Sequence, residues 1–198
     1  MAPPTYHIPD AIKQLYQDPA RHYHNLNHVA HVLSLIPDNH AHVTELIYAT
    51  WFHDSVYDPR APHGVNERES IKLWEKHVEE QGEELKHIKD FVSLMIQCTI
   101  THSLPDEPPA DEALVGLIKR FLDMDMDVLA ASRVGYLEYA GQVRREYKHL
   151  SDEEFRGGRA AFLESEIRKG KVFLLEENGE KNEVALGNME AELGMLGM

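Results

Sequence analysis

The sequence is poor in cysteine and in positive charge. Its one cysteine, Cys98, cannot form an intrachain disulfide, which predicts a reducing compartment and therefore the cytoplasm. Only 20 Lys and Arg stand against 34 Asp and Glu, a formal net charge of -14. A chain with no diffuse cationic surface has little to attract a phosphate polymer, so the composition argues against a nucleic-acid polymer as partner.

Long apolar runs and a secretory leader are also missing. No stretch approaches the ~20 apolar residues that cross a bilayer, so we expect no membrane partner. Residues 1–10 have neither the basic start nor the apolar run of a secretory signal, which again favours the cytoplasm. At 198 residues with 42% hydrophobic composition, the chain is long enough for one domain with a sizeable core.

Apolar residues recur at the helical period along most of the chain, and strand alternation is absent. The pattern predicts an all-α, single-domain helical bundle. Its predicted helices cover 26–36, 41–54, 67–82, 84–99, 114–122, 132–149 and 152–169, with Asn66 and Ser151 as N-caps. We place the domain at 1–175 and 176–198 as a C-terminal helix or tail. A weakly packed helix, a partner-binding segment and a frayed end fit the loose spacing of 176–198 equally well.

Histidines are abundant: the chain has 13, several of them between residues 21 and 31. His24 and His28 stand four apart, so both rings project from one helix face if the helix has begun by Tyr23. That spacing suits metal binding or acid–base chemistry. The alternative is an exposed, histidine-rich helix start with no chemical role.

His53 and Asp54 end the predicted helix 41–54 and continue its buried stripe. A buried carboxylate needs a partner. Because the carboxyl end of a helix also disfavours an anion, the pattern predicts a cation nearby. A satisfied core histidine beside a capping aspartate is the alternative reading of this pair.

Three acids follow one another near the end of the predicted helix 114–122. Asp125 comes four residues after Phe121 and seven after Ile118, which places it on the apolar face, whereas Asp123 and Asp127 fall on or near the polar side. The periodicity therefore selects Asp125 as the buried acid. A structural aspartate bonded to backbone amides is the alternative.

Together these residues supply two imidazoles and two carboxylates: His28, His53, Asp54 and Asp125. A nitrogen and oxygen ligand set suits zinc, manganese or iron, or magnesium with less preference for nitrogen. A structural zinc site would more often use thiolates. With one cysteine available, the ligand set favours an open site that keeps water ligands.

Five segments of the chain, taken in order, resemble a known family. They are 23–28 (Tyr-His-Asn-Leu-Asn-His), 51–58 (Trp-Phe-His-Asp-Ser-Val-Tyr-Asp), 66–67 (Asn-Glu), 99–102 (Thr-Ile-Thr-His) and 121–125 (Phe-Leu-Asp-Met-Asp). They look like a subgroup of predicted phosphohydrolases in the HD superfamily of metal-dependent phosphohydrolases, over roughly residues 10–175. The resemblance implies an all-helical fold and one or two divalent ions, drawn from Mn, Mg, Zn, Fe and Co.

The same resemblance suggests roles for individual residues. The 24–28 segment is also similar to that of cyclic-nucleotide phosphodiesterases, in which the first histidine donates a proton to the leaving oxygen, so His24 becomes the general acid. Asp54 would bridge the ions if there are two. Glu67 is a candidate for orienting the nucleophilic water, with a helix-stabilising first-turn glutamate as the alternative. His102 is a candidate ligand for a second metal or for the phosphate, or else an ordinary loop histidine.

Positive charge is concentrated in the last third of the sequence. Arg145 and Arg159 are predicted to clamp a phosphate, and Tyr147 offers a surface on which a base or ring can stack. Ordinary ion pairing with neighbouring acids explains the same arginines.

These expectations converge on hydrolysis of a phosphate ester by metal-activated water. The substrate class is a small phosphorylated metabolite, with a nucleotide favoured, and homo-oligomerisation is left open. Two alternatives remain: a di-iron oxygenase with the same ligands, and a non-catalytic protein that a metal stabilises and whose acidic tail binds a partner.

Overall fold

A computed structural model describes residues 8–37 and 39–197. In these ranges the chain forms α-helices and short 3-10 turns and no strand, which confirms the predicted all-α fold. The α-helices are α1 (Asp10–Leu15), α2 (Leu26–Ser34), α3 (Val43–Phe52), α4 (Val65–Gln81), α5 (Lys89–Cys98), α6 (Glu112–Asp125), α7 (Arg133–Glu146), α8 (Asp152–Lys169) and α9 (Gly179–Met195). None of the helices in the described ranges has the length and hydropathy needed to cross a bilayer.

The best-predicted element is α8, which begins and ends where the sequence indicates. The Ser151 hydroxyl accepts the backbone N–H of Glu154 at 3.2 Å, and the Glu154 carboxylate accepts the N–H of Ser151 at 2.8 Å. This reciprocal pair satisfies two amides that lack partners inside the helix. At the other end Gly170 adopts a left-handed conformation, with φ of 66°, which stops the helix.

The predicted start of α2 at Leu26 is correct, because Asn25 is extended and its side chain caps the amide of Asn27. The helix has therefore not begun by Tyr23, which was the condition for His24 and His28 to share one helix face. The predicted N-cap at Asn66 is wrong, because α4 begins at Val65, directly after the left-handed Gly64. Asn66 is therefore inside the helix.

The chain divides into two compact units, and the boundary in sequence lies inside α6, between Phe121 and Leu122. In the first unit α3 contacts α2, α4 and α5. Its core contains an aromatic group formed by Tyr48 and Phe52 of α3 and Trp74 of α4. The indole N–H of Trp74 donates to the Lys89 carbonyl at 2.9 Å, so this large ring is buried with its polar atom satisfied.

The second unit contains α7, α8 and α9 and the 3-10 turn Met126–Ala130. Its apolar core includes Leu163 of α8 and Met189 of α9, both fully buried. The C-terminal segment therefore forms a well-packed helix over Gly179–Met195, because Ala185, Asn188, Met189 and Glu192 all face inward.

The selection of Asp125 over Asp123 as the most buried acid of 121–127 is wrong. Asp123 is buried, whereas Asp125 is half-buried. The Asp123 carboxylate accepts the N–H groups of Leu174 and Leu175 at 2.6 and 3.0 Å and the side-chain amide of Asn178 at 2.6 Å. The returning segment 172–178 therefore covers Asp123, which periodicity assigns to the polar side.

Candidate metal centre

The segment 21–25 leads into α2 and sets the position of His28. The side chain of Asn25 donates to the carbonyls of Arg21 and His22 at 3.2 and 2.9 Å and accepts the N–H of Asn27 at 2.8 Å. Asn25 thus closes the preceding turn and starts the helix with one side chain. His28 follows in the first turn of α2, and it is buried.

His53 and Asp54 follow α3 directly. The backbone N–H of His53 continues the helix by donating to Ala49 at 2.9 Å, while its ring Nδ1 lies 2.9 Å from the carbonyl oxygen of Thr50. Because a carbonyl only accepts, we assign the proton of a neutral His53 ring to Nδ1. Its Nε2 then carries a lone pair that can bind a cation.

Three ligand atoms converge at this point. His28 Nε2 lies 3.1 Å from His53 Nε2, and Asp54 Oδ2 lies 3.1 Å from His53 Nε2 and 3.7 Å from His28 Nε2. The two imidazole side chains are 2% and 1% exposed and the carboxylate 18%, so water reaches the group mainly from the side of Asp54. The structure thus brings together three of the four predicted ligands in the first unit.

The environment of Asp54 favours its ionised form. Burial on its own would raise the pKa of this carboxyl group, but the neighbouring imidazoles of His53, His24 and His28 outweigh burial and lower the pKa below its usual range. The carboxylate therefore persists at neutral pH and contributes a negative charge where two nitrogen atoms meet.

Asp125, the fourth predicted ligand, is the last residue of α6. It belongs to the second unit, so its role as a metal ligand stays a prediction from the sequence. On the same helix Phe121 places its ring 5.8 Å from the ring of His53, edge to face.

His24, the predicted proton donor, lies in the segment before α2 rather than on its face. Its ring stacks on Tyr57, with centroids 4.2 Å apart, and contacts Tyr23 edge to face. The ring centroids of His24 and His28 are 6.1 Å apart. The half-buried His24 is therefore close to the candidate ligands, although the helical spacing that first paired it with His28 does not apply.

The roles of Glu67 in orienting water and of His102 in binding a metal or phosphate stay predictions. Glu67 lies in the first turn of α4, and its Oε2 is buried without a hydrogen-bond partner among the described residues. A buried carboxylate oxygen in that state suits a water or ion as its partner. His102 is half-buried in the loop after α5, with φ of 48°, an uncommon backbone conformation for a residue other than glycine.

The structure gives Arg159, one half of the predicted phosphate clamp, a partner within the protein. Arg159 is buried and makes two hydrogen bonds to Glu192, at 2.8 and 2.9 Å, so its guanidinium already has a carboxylate partner. Arg145 is exposed on α7, and the ring of Tyr147, at the end of that helix, stacks on His149 with centroids 5.8 Å apart. Arg159 does form an ion pair, but its partner is Glu192, 33 residues further along the chain, and not one of the neighbouring acids expected from the sequence.

Sequence reasoning missed Arg21. This buried arginine donates to the carbonyl oxygens of His24, Asp54 and Ser55. The signal available was weak: an arginine at the start of a histidine-rich segment that otherwise carries the candidate chemistry.

The ligand set fits a divalent cation of borderline hardness, since it offers imidazole nitrogen and carboxylate oxygen and no thiolate. Ligands bound at about 2.0–2.1 Å lie roughly 2.8–3.4 Å apart in octahedral or tetrahedral arrangements. Two of the three separations among His28, His53 and Asp54, both 3.1 Å, lie in that range, and the third, 3.7 Å, is longer. No family model, curated protein or solved structure matches this chain.

Proposed function

We propose that this protein is a metal-dependent phosphohydrolase that acts on a small phosphorylated metabolite, with nucleotides the first class to test. The observation that carries the proposal is the convergence of two imidazole nitrogens and one carboxylate oxygen, His28 Nε2, His53 Nε2 and Asp54 Oδ2. The resemblance of five sequence segments to HD-superfamily phosphohydrolases supports the same class.

The protonation of His53 makes a cation the natural occupant of this position. Its Nδ1 faces the carbonyl of Thr50, so the neutral ring directs a lone pair toward the Asp54 carboxylate. A lone pair and an anion 3.1 Å apart repel each other unless a positive charge lies between them. A single proton can bridge only two of the three atoms, whereas a divalent cation can bind His28 Nε2, His53 Nε2 and Asp54 Oδ2 together.

A divalent cation held by His28, His53 and Asp54 would lower the pKa of a coordinated water and draw charge from the phosphate in the transition state. The residues around the cation would supply the other chemical groups that the reaction needs. Asp54 would supply an anionic oxygen, which lies 3.1 Å from His53 Nε2. His24, whose ring centroid lies 6.1 Å from that of His28, would donate a proton to the leaving oxygen, and Glu67 would offer a buried carboxylate oxygen to orient water.

The test combines metal analysis of the purified protein with a phosphate-release screen over nucleotides, repeated with manganese, magnesium and iron. We expect release that depends on added metal and that falls by at least about 100-fold in Asp54→Ala, since changes to groups that only support a metal ligand already cost 10–100-fold. Asp90→Ala is the matched control, because Asp90 is an exposed carboxylate on α5. Undiminished release by Asp54→Ala contradicts the proposal.

Two other outcomes would replace the proposal. Two bound irons with oxygen consumption and no phosphate release would indicate a di-iron oxygenase. Loss of helicity on metal removal, again with no phosphate release under any condition, would indicate a metal-stabilised interaction protein.

A further inference from the structure

Arg21 connects two separate parts of the candidate centre through their backbone. Its Nη1 donates to the carbonyl oxygens of Asp54 and His24, at 2.6 and 3.3 Å, and its Nη2 donates to the carbonyl oxygen of Ser55 at 3.0 Å. One guanidinium therefore holds the turn that carries His53 and Asp54 against the segment that carries His24.

These carbonyls need an external donor. Asp54 and Ser55 follow the last turn of α3, where backbone carbonyls lack partners within the helix. A guanidinium offers several N–H groups in a rigid plane, which an ammonium on a flexible stem does not. Arg21 is buried, so water is a poor substitute for it.

Aromatic contacts add a second connection between the same parts. The guanidinium carbon of Arg21 lies 5.1 Å from the ring centre of Tyr16 and 5.6 Å from that of Tyr57. Tyr57 in turn stacks on the ring of His24. Arg21 thus contacts the backbone of His24 directly, and it contacts Tyr57, whose ring stacks on the side chain of His24.

We infer that Arg21 is a positioning residue, which holds the proton donor His24 at a set distance from the metal-ligating turn His53–Asp54. The inference rests on the proposed function. It assigns Arg21 no contact with the substrate: the residue acts through the backbone carbonyls and through Tyr57.

The first experiment compares Arg21→Gln and Arg21→Lys with the unmodified protein on two phosphate monoesters, p-nitrophenyl phosphate and methyl phosphate. A misplaced proton donor matters most for the poor leaving group, because nitrophenolate departs without protonation. We expect both variants to lose at least about 10-fold more kcat on methyl phosphate than on p-nitrophenyl phosphate. Arg21→Lys should not rescue this difference, since it keeps the charge but not the planar array of donors.

Two controls separate positioning from general loss of stability. Val92→Ala makes a cavity in the buried face of α5 and lowers stability without touching the carbonyls that Arg21 binds. Arg156→Gln removes an exposed arginine that also donates to a backbone carbonyl. Neither should change the ratio of the two rates. Equal losses on both esters in the Arg21 variants would overturn the inference.

A titration with Co²⁺, followed by its visible absorbance, gives a readout that needs no activity. We expect the Arg21 variants to bind Co²⁺ about 10-fold more weakly than Val92→Ala does, as for other groups that orient metal ligands. If the unmodified protein releases no phosphate, the proposed function fails, and this titration alone decides the role of Arg21. Unchanged Co²⁺ affinity in that case would overturn the inference.

Discussion

Glu192 of α9 holds two buried partners in the second unit, and its replacement by alanine gives the sharpest test of how that unit is stabilised. Its carboxylate accepts two hydrogen bonds from Arg159 and a third from the hydroxyl of Tyr136 at 2.5 Å. Glu192 and Arg159 are only 5% and 8% exposed. Glu192→Ala would therefore leave a buried guanidinium and a buried hydroxyl without their acceptor.

The expected loss follows from that geometry. Removing one member of a buried ion pair costs about 3–5 kcal/mol, because the remaining charge stays desolvated. For a chain of 198 residues, each kcal/mol lowers Tm by roughly 2–4 °C, so Tm should fall by about 10 °C. Replacing Arg159 by Met, Glu192 by Leu and Tyr136 by Phe together should recover most of the loss, since no buried polar atom of the network is then unpaired.

The assay is chemical unfolding followed by circular dichroism, with thermal melts alongside. Glu190→Ala is the matched control, because Glu190 lies on the same helix but is exposed. A Glu192→Ala variant within about 1 kcal/mol of that control would refute the reasoning, since an exposed charge contributes no more than that.

The same network predicts a dependence on pH. Burial raises the pKa of Glu192, but hydrogen bonds and charge from Arg159, with further contributions from Tyr136 and Arg133, lower it more. The native pKa therefore lies below the ordinary 4.5, and the unfolded chain binds the proton first as the pH falls. The stability that Glu192 contributes is complete above pH 4.5 and disappears as the pH falls through the native pKa.

Three further predictions concern local features. Asp123→Ala should cost about 2–4 kcal/mol in urea unfolding, because it removes the acceptor of two partly buried amides. Burial among aromatic rings lowers the pKa of His77, and a neighbouring carboxylate opposes this only in part. The free energy of unfolding should therefore fall as the pH drops below 6.5, because the unfolded chain binds the proton first. In His77→Phe this dependence of the free energy of unfolding on pH should be weaker. Gly157→Ala, with open space at its Cβ, should raise Tm, whereas Gly64→Ala should lower it, since Gly64 has φ of 73° and its added Cβ would lie 2.6 Å from Arg68.

Helices with a local signal could be predicted from the sequence. The bounds of α8 follow from Ser151, Glu154 and Gly170, which act within one helical turn of the residues they cap. The start of α4 could not be predicted in the same way. Asn66 has the chemistry of an N-cap, but its side chain instead exchanges two hydrogen bonds with the backbone of Asp58. Gly64 then supplies the left-handed turn that begins the helix.

The same division applies to individual side chains. His53 could be chosen from periodicity because it directly follows α3 and continues the buried stripe of that helix, whereas His28 follows from its spacing to His24 and from the family resemblance. Asp123 and Arg159 could not, since what buries each of them is a segment about 30 to 50 residues away in sequence. The role of Arg21 could not be predicted, because its partners are backbone carbonyls, which give no residue-specific signal in the sequence.

Hydrogen bonds to the backbone set the geometry of the turn after α3. Side chains donate to three of its carbonyls: the ring of His53 to Thr50, the hydroxyl of Ser55 to Phe52, and Arg21 to Asp54. These bonds orient His53 and Asp54 without using the ring Nε2 or the carboxylate. The backbone therefore holds His53 Nε2 and Asp54 Oδ2 3.1 Å apart, so the positions of these two candidate ligand atoms are set by the fold of the turn.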